Sequence, residues 1–173
     1  MDEESAELTI TFGSSSKTSD CIVEVLEATW DALDEQEKVA TSLIQITMDN
    51  GPESSGRRTQ CLHRMVQLAD DMNKPIPLLY YPPYHSKYHP IERCWGIVEL
   101  QWHGTKLTDA ETRLEWAKNM TWQGMRPVVA LRRQADAKGL SLGKAAMQAV
   151  EARLKRDPAL PKYDILIDPA SPS

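Results

Sequence analysis

Two acidic residues, Asp49 and Glu92, stand where carboxylates could do chemistry together. Asp49 follows Leu43-Ile-Gln-Ile-Thr-Met48, a short run rich in β-branched residues, and precedes the turn-forming Asn50-Gly51-Pro52. A carboxylate at the carboxyl end of a strand in an α/β sheet sits where such folds place their ligands. Glu92 comes after residues 76–81, an apolar and aromatic run of strand length that Pro82-Pro83 terminates. Pro90 has a fixed φ suited to the first position of a helix, which places Glu92 in the first turn. An acid on a strand end and an acid on a helix start can meet across the crevice beside a sheet. Two converging carboxylates suit a hard divalent cation such as Mg²⁺, which takes oxygen ligands and leaves room for substrate phosphates. Each acid also has a plainer reading. Asp before Asn-Gly is a common turn residue, and Glu at the third helical position caps the helix and favours its dipole.

The elements that must position these residues follow from periodicity. Residues 8–12 alternate enough for a strand, and residues 13–16 form a loop. Thr18 or Ser19 caps a helix with Asp20 in its first turn and Ile22, Leu26, Trp30 and Leu33 on its buried face. Residues 34–41 read as a polar connection. The pattern predicts a helix over residues 55–73 with Cys61, Leu62, Met65, Val66, Leu68, Ala69 and Met72 inward, stopped by Lys74-Pro75. The helix from Pro90 is expected to bury Ile91, Trp95, Val98 and Trp102, leaving Arg93, Glu99 and His103 on its polar side. Thr108 caps a further helix to about Met120, with Leu114 and Trp116-Ala117 inward, and Trp30, Trp95, Trp102 and Trp116 are assigned to the core. Trp122 is open to packing against a partner. Residues 141–156 read as one Ala-rich amphipathic helix. From Pro158 onward, four prolines in the last sixteen residues predict a tail with little structure. Strands alternating with helices imply an α/β fold.

The segments "MDNGPE" (48–53) and "YYPPYHSKYHPIERCW" (80–95) resemble the second and third acidic motifs of insertion-sequence DDE transposases, and most closely the Rhodopirellula-type transposase DDE domain, which is distantly mariner-like. The text around them is similar as well: "LTITFGSSSKTSDCIVEVLEATW", "SSGRRTQCLHRMVQLAD" and "TWQGMRPVV". "HSKYHPIERCW" is long and unusual, whereas "DNG" alone would carry little. The resemblance runs from about Leu8 to about Leu154. It implies a ribonuclease-H-like fold, with residues 8–120 as the core, 121–157 as a C-terminal helical extension (together a partial catalytic domain over 1–157) and 158–173 as the tail.

It implies metal-dependent strand cleavage and transfer on DNA, with Mg²⁺ or Mn²⁺ held by Asp49 and Glu92 as two of three acids. In that fold the first catalytic Asp lies on a central strand ahead of the residue-8 strand. Asp2, Glu3, Glu4 and Glu7 lie in a polar start with no apolar run leading into them, so the chain is expected to be the C-terminal part of a transposase with an incomplete two-metal site. Asn50, His85, Ser86, Lys87, Arg93, Arg57 and Arg58 are expected beside the acids or against DNA phosphates. For the loop and arginine positions the plainer reading is solvated surface. His89 departs from the family, where Asn usually precedes the Pro; Asn is the better N-cap, so Glu92 is expected to be less well aimed. The alternatives are a catalytically inactive remnant that docks DNA or protein, and a small metal-dependent phosphodiesterase.

A net charge of −5 offers no global signature of nucleic-acid binding. Three cysteines without regular spacing argue against a disulfide framework and fit a reducing cytoplasm. Cys61, His63, His85, His89 and Cys94 invite a zinc reading, but no Cys-x₂-Cys knuckle exists and both cysteines occupy apolar helix positions. Gly51 to Gly56 lacks the Lys-Ser/Thr of a phosphate-binding loop, so no nucleotide function follows, and no small-molecule cofactor is expected beside the metal. No apolar run is long enough for a membrane span. Exposed sheet edges in an incomplete fold would invite pairing with a second copy.

Overall fold

A computed structural model of the chain describes residues 1, 7–13, 18–81, 90–102, 110–132 and 142–170. The chain divides into two compact units, one of Lys17–Pro83 with Asp136–Ser173, the other of Met1–Ser16 with Tyr84–Ala135. Both mix helix and strand, as the sequence pattern implies.

In the larger unit, helix α1 (Ser19–Asp31) starts at Thr18, whose hydroxyl accepts the Cys21 amide. Its fully buried residue is Val23, with Ile22, Leu26 and Trp30 partly buried against the same core. The stretch expected as a polar connection holds a short helix, α2 (Glu35–Ala40), closed by a capping box: Asp34 accepts from the Glu37 amide and Glu37 accepts from the Asp34 amide. Strand β2 (Ile46–Met48) is shorter than its apolar run, and Leu43 is left about half exposed. Helix α3 (Thr59–Met72) buries all seven predicted inward residues. It ends at Asn73, in the left-handed region with φ 51°, where the Lys74 amide bonds the Ala69 carbonyl.

Strand β3 (Ile76–Tyr80) runs parallel to β2, the arrangement a strand–helix–strand crossover requires. Its alternation sends Ile76, Leu78 and Tyr80 into the core.

The C-terminal part corrects the sequence reading. Helix α6 spans only Lys144–Glu151; the chain then turns into strand β5 (Leu154–Arg156), and Asp164–Ile167 form strand β6. The four-stranded sheet has the order β2-β3-β6-β5, with β6 antiparallel to both neighbours. The segment expected to be a tail thus supplies an interior strand, with Ile165 and Ile167 fully buried opposite Leu78 and Ile76. Its prolines punctuate rather than disorder: Pro158 and Pro161 lie in the turns before β6 and Pro169 lies after it. A bidentate pair ties this end to α3, with Arg153 Nη2 donating to Asp70 Oδ1 at 2.7 Å and Nη1 to Oδ2 at 3.2 Å. Arg153 also donates to the Asp168 carbonyl, and the Ala170 amide donates to Asp70.

In the smaller unit, β1 (Thr9–Gly13) pairs in parallel with β4 (Val128–Arg132), Thr9 opposite Val128. Helices α4 (Pro90–Trp102) and α5 (Ala110–Asn119) accompany this ribbon, around a core of Leu8, Ile10, Cys94, Ala117, Met120 and Trp122. The inward stripe of α4 is Ile91, Cys94 and Ile97, so Trp95 stands 41% exposed, contrary to expectation. Trp116 is also partly exposed while Ala117 is buried. Val98, Trp102, His103 and Thr108 lie outside the described side chains. Trp122 turns inward instead of outward, at the start of a tight Trp122–Met125 bridge whose central residues, Gln123 and Gly124, both have positive φ.

Candidate active-site carboxylates

Asp49 sits one residue past the end of β2, and the strand is anchored there by the Tyr81 amide donating to the Met48 carbonyl at 3.1 Å. Its side chain is exposed. The loop beyond it closes as a turn over Gly51-Pro52-Glu53-Ser54, with the Ser54 amide 3.3 Å from the Gly51 carbonyl and Pro52 at the position where its fixed φ is favoured.

Ser54 is 2% exposed, and its hydroxyl lies 3.0 Å from Asp49 Oδ1 and 3.1 Å from the Asp49 carbonyl. Two further contacts fix the loop to the unit: Ser19 Oγ donates to the Glu53 carbonyl at 2.7 Å, and the Cys61 thiol lies 3.9 Å from the Ser54 carbonyl. A Cβ on Gly51 would stand 3.4 and 3.5 Å from the two Asp49 carboxylate oxygens, so the glycine leaves that flank of the carboxylate open. At Gly56 a Cβ would meet the Lys162 carbonyl at 2.4 Å, so only glycine allows the lead-in to β6 to lie against this loop.

Glu92 lies in the first turn of α4, as Pro90 predicts, and is exposed together with Arg93. Asp49 belongs to the larger unit and Glu92 to the smaller. Asn50, Arg57 and Arg58 are exposed in the same unit as Asp49; Arg58 reaches Glu53 at 3.7 Å, a surface pair of little energetic weight. Arg57 borders a groove of about 400 Å³ between the start of α3 and the face of α6, which Lys144, Met147 and Arg156 also line. Arg156 is engaged there by the carboxylate of Glu151, whose own protonation it pushes below the usual range through their hydrogen bonds. His85, Ser86, Lys87 and His89 lie outside the described residues. Among the described residues no three His, Cys, Asp or Glu side chains gather into a metal-binding group. Cys61 and Cys94 are both fully buried, and burial pushes the Cys94 thiol above its usual range.

Sequence reasoning did not pick out Ser54 or the buried hydroxyl of Tyr80. The Tyr80 hydroxyl has no hydrogen-bond partner among the described residues, and burial first, then the nearby Cys61, pushes it well above the usual phenol range. The only signal for Ser54 was a small polar residue closing a Gly-Pro turn after the acid.

Comparison with known families puts the chain among transposases of the DDE type. The match is to the Rhodopirellula transposase DDE domain over residues 1–169, and the chain belongs to that family. It runs through β5 and β6, which are therefore part of the family's domain. Neither a curated protein nor a solved structure gave a match. DDE transposases as a family work on DNA and use divalent metal ions. Among the described residues no helix is long and apolar enough to cross a membrane.

Proposed function

We propose that this chain carries part of the active site of a ribonuclease-H-like DNA transposase, with Asp49 and Glu92 as two of the carboxylates that hold Mg²⁺ or Mn²⁺ for strand cleavage and strand transfer. The observation that supports this most is Asp49 itself. It stands at the carboxyl end of a strand in a parallel pair, exposed, with one carboxylate oxygen bonded to Ser54 and the other without a partner among the described residues. A free, hard carboxylate oxygen is the donor such ions prefer. Glu92, exposed in the first turn of α4, is the second such donor.

A divalent ion, when bound, supplies activation of a water or 3′-hydroxyl and neutralisation of charge on the phosphate. The chain's own residues bind and orient. In this reading Asp49 and Glu92 each supply a carboxylate to the ion, and Asn50 follows the first acid directly in the chain. Arg57, Arg58 and Arg93, with His85, Ser86 and Lys87 from the segment between β3 and α4, contact the DNA backbone.

The test is calorimetric titration of Mn²⁺ into the chain and into Asp49→Ala and Glu92→Ala variants, each shown folded by circular dichroism. Binding in the starting chain that is lost in both variants is the expected result. A variant that binds as well as the starting chain removes that acid from the site.

The second reading is a DNA- or protein-docking module without catalysis. Nicking of supercoiled DNA in Mn²⁺, abolished by Asp49→Ala, decides for the enzyme; DNA binding without nicking decides for the module.

A further inference from the structure

An exposed aspartate rotates broadly about its terminal torsion, so an isolated Asp49 would offer either oxygen in many directions. The structure does not leave it isolated. Ser54 is buried, out of competition from water, and its hydroxyl has a single hydrogen facing two acceptors on one residue, Asp49 Oδ1 at 3.0 Å and the Asp49 carbonyl at 3.1 Å. Both positions hold the hydroxyl against the same side of Asp49. Oδ2 has no partner among the described residues, and Gly51 puts no side chain over the carboxylate.

We propose that Ser54 is a positioning residue for Asp49: its buried hydroxyl occupies Oδ1 and leaves Oδ2 as the single oxygen offered to a divalent cation. The inference rests on the reading of Asp49 as a metal ligand. Hydrogen bonds that orient a ligand in this way commonly govern affinity as strongly as some ligands do. If the carboxylate charge at Oδ1 is drawn away on binding, the hydroxyl still has the carbonyl to donate to, so the buried donor is never stranded.

Ser19 provides the matched control, because its hydroxyl, also buried, anchors the same loop through the Glu53 carbonyl but touches no carboxylate. Mn²⁺ titrations compare the starting chain with Ser54→Ala, Ser54→Cys, Ser19→Ala and Asp49→Ala, with thermal melts recorded on each. Ser54→Cys fills the space of the hydroxyl with a weaker donor, so it serves if Ser54→Ala does not fold. Both Ser54 variants are expected to weaken Mn²⁺ binding by about tenfold. Ser19→Ala is expected to leave binding unchanged to within about twofold, since it alters no oriented ligand. If Ser54 variants bind like the starting chain while Asp49→Ala does not, the positioning role is overturned and the ligand reading stands. Equal weakening by Ser19→Ala and Ser54→Ala also overturns it, because Ser54 would then act only by holding the loop. If Asp49→Ala changes nothing, or the folded starting chain binds no Mn²⁺, the ligand reading itself fails and takes the inference with it.

Discussion

Replacing Ile165 by Ala tests whether the last sixteen residues belong to the fold. Ile165 is fully buried in β6, opposite Leu78 of β3 and Arg156 of β5. The substitution removes three carbons, worth roughly 2.4 kcal/mol of transfer free energy at about 0.8 per methylene. The void it leaves adds to that, because three strands and α3 fix the walls, so the total is about 3–4 kcal/mol. For a chain of this length that lowers the melting midpoint by roughly 6–16 °C. The control lies in the same segment: Leu160 is half exposed, and Leu160→Ala should change stability by less than about 0.5 kcal/mol. Urea denaturation followed by circular dichroism measures both. A loss under about 1 kcal/mol for Ile165→Ala would refute the strand, since no fully buried isoleucine yields so little.

Two further outcomes follow from the same unit. Gly56→Ala should destabilise by about 2–3 kcal/mol, because the new Cβ meets backbone at Lys162 and cannot be relieved by a rotamer. Gly51→Ala meets only ordinary contacts and should be neutral to within about 0.5 kcal/mol; equal effects in a denaturant titration would show the close approach at Gly56 to be wrong. The hydrogen bonds from Arg153 hold Asp70 below the usual carboxylate range, so this pair stabilises the fold above about pH 4, and the contribution is lost as the pH falls through the folded value. Both side chains are about a third exposed, which limits the effect of Asp70→Asn at pH 7 to about 1 kcal/mol. The difference between Asp70→Asn and the starting chain should close on acidification; denaturation midpoints that fall in parallel between pH 5 and 2.5 would contradict it.

What could be read in the sequence was what neighbours along the chain decide. The seven inward residues of α3, the Thr18 cap and the Pro90 start all depend on spacing within one helix, and each is observed. That Asp49 follows a strand and that Glu92 lies in the first turn of a helix was legible in the same way. Asp34-x-x-Glu37 carried the capping signal for α2, but the polarity of the stretch obscured it. The α4 stripe was misplaced by one residue because tryptophan outweighs cysteine on any hydrophobicity count, yet Cys94 is the residue that packs. β5 and β6 exist through each other and through β3: alone, Leu-Lys-Arg after an Ala-rich helix reads as more helix, and Asp-Ile-Leu-Ile among prolines reads as tail. Ser54 eluded the sequence for a related reason, since its meaning lies in where a turn brings it.

The strand order also sets a schedule for synthesis. β2, α3 and β3 leave the ribosome early, but β3 receives its second neighbour only when Asp164–Ile167 have been made. That is about 90 residues later, an interval of roughly 4–20 s at ordinary elongation rates. Throughout it, one edge of β3 presents unpaired amides and carbonyls, the template on which chains pair wrongly. The loop bearing Asp49 waits as well, because the Lys162 backbone that packs on Gly56 and the Arg156 guanidinium that holds the Gly56 carbonyl arrive in the same late stretch. A message truncated before the codon for Asp164 therefore yields no partly competent protein, only a nascent chain committed to chaperones or proteolysis.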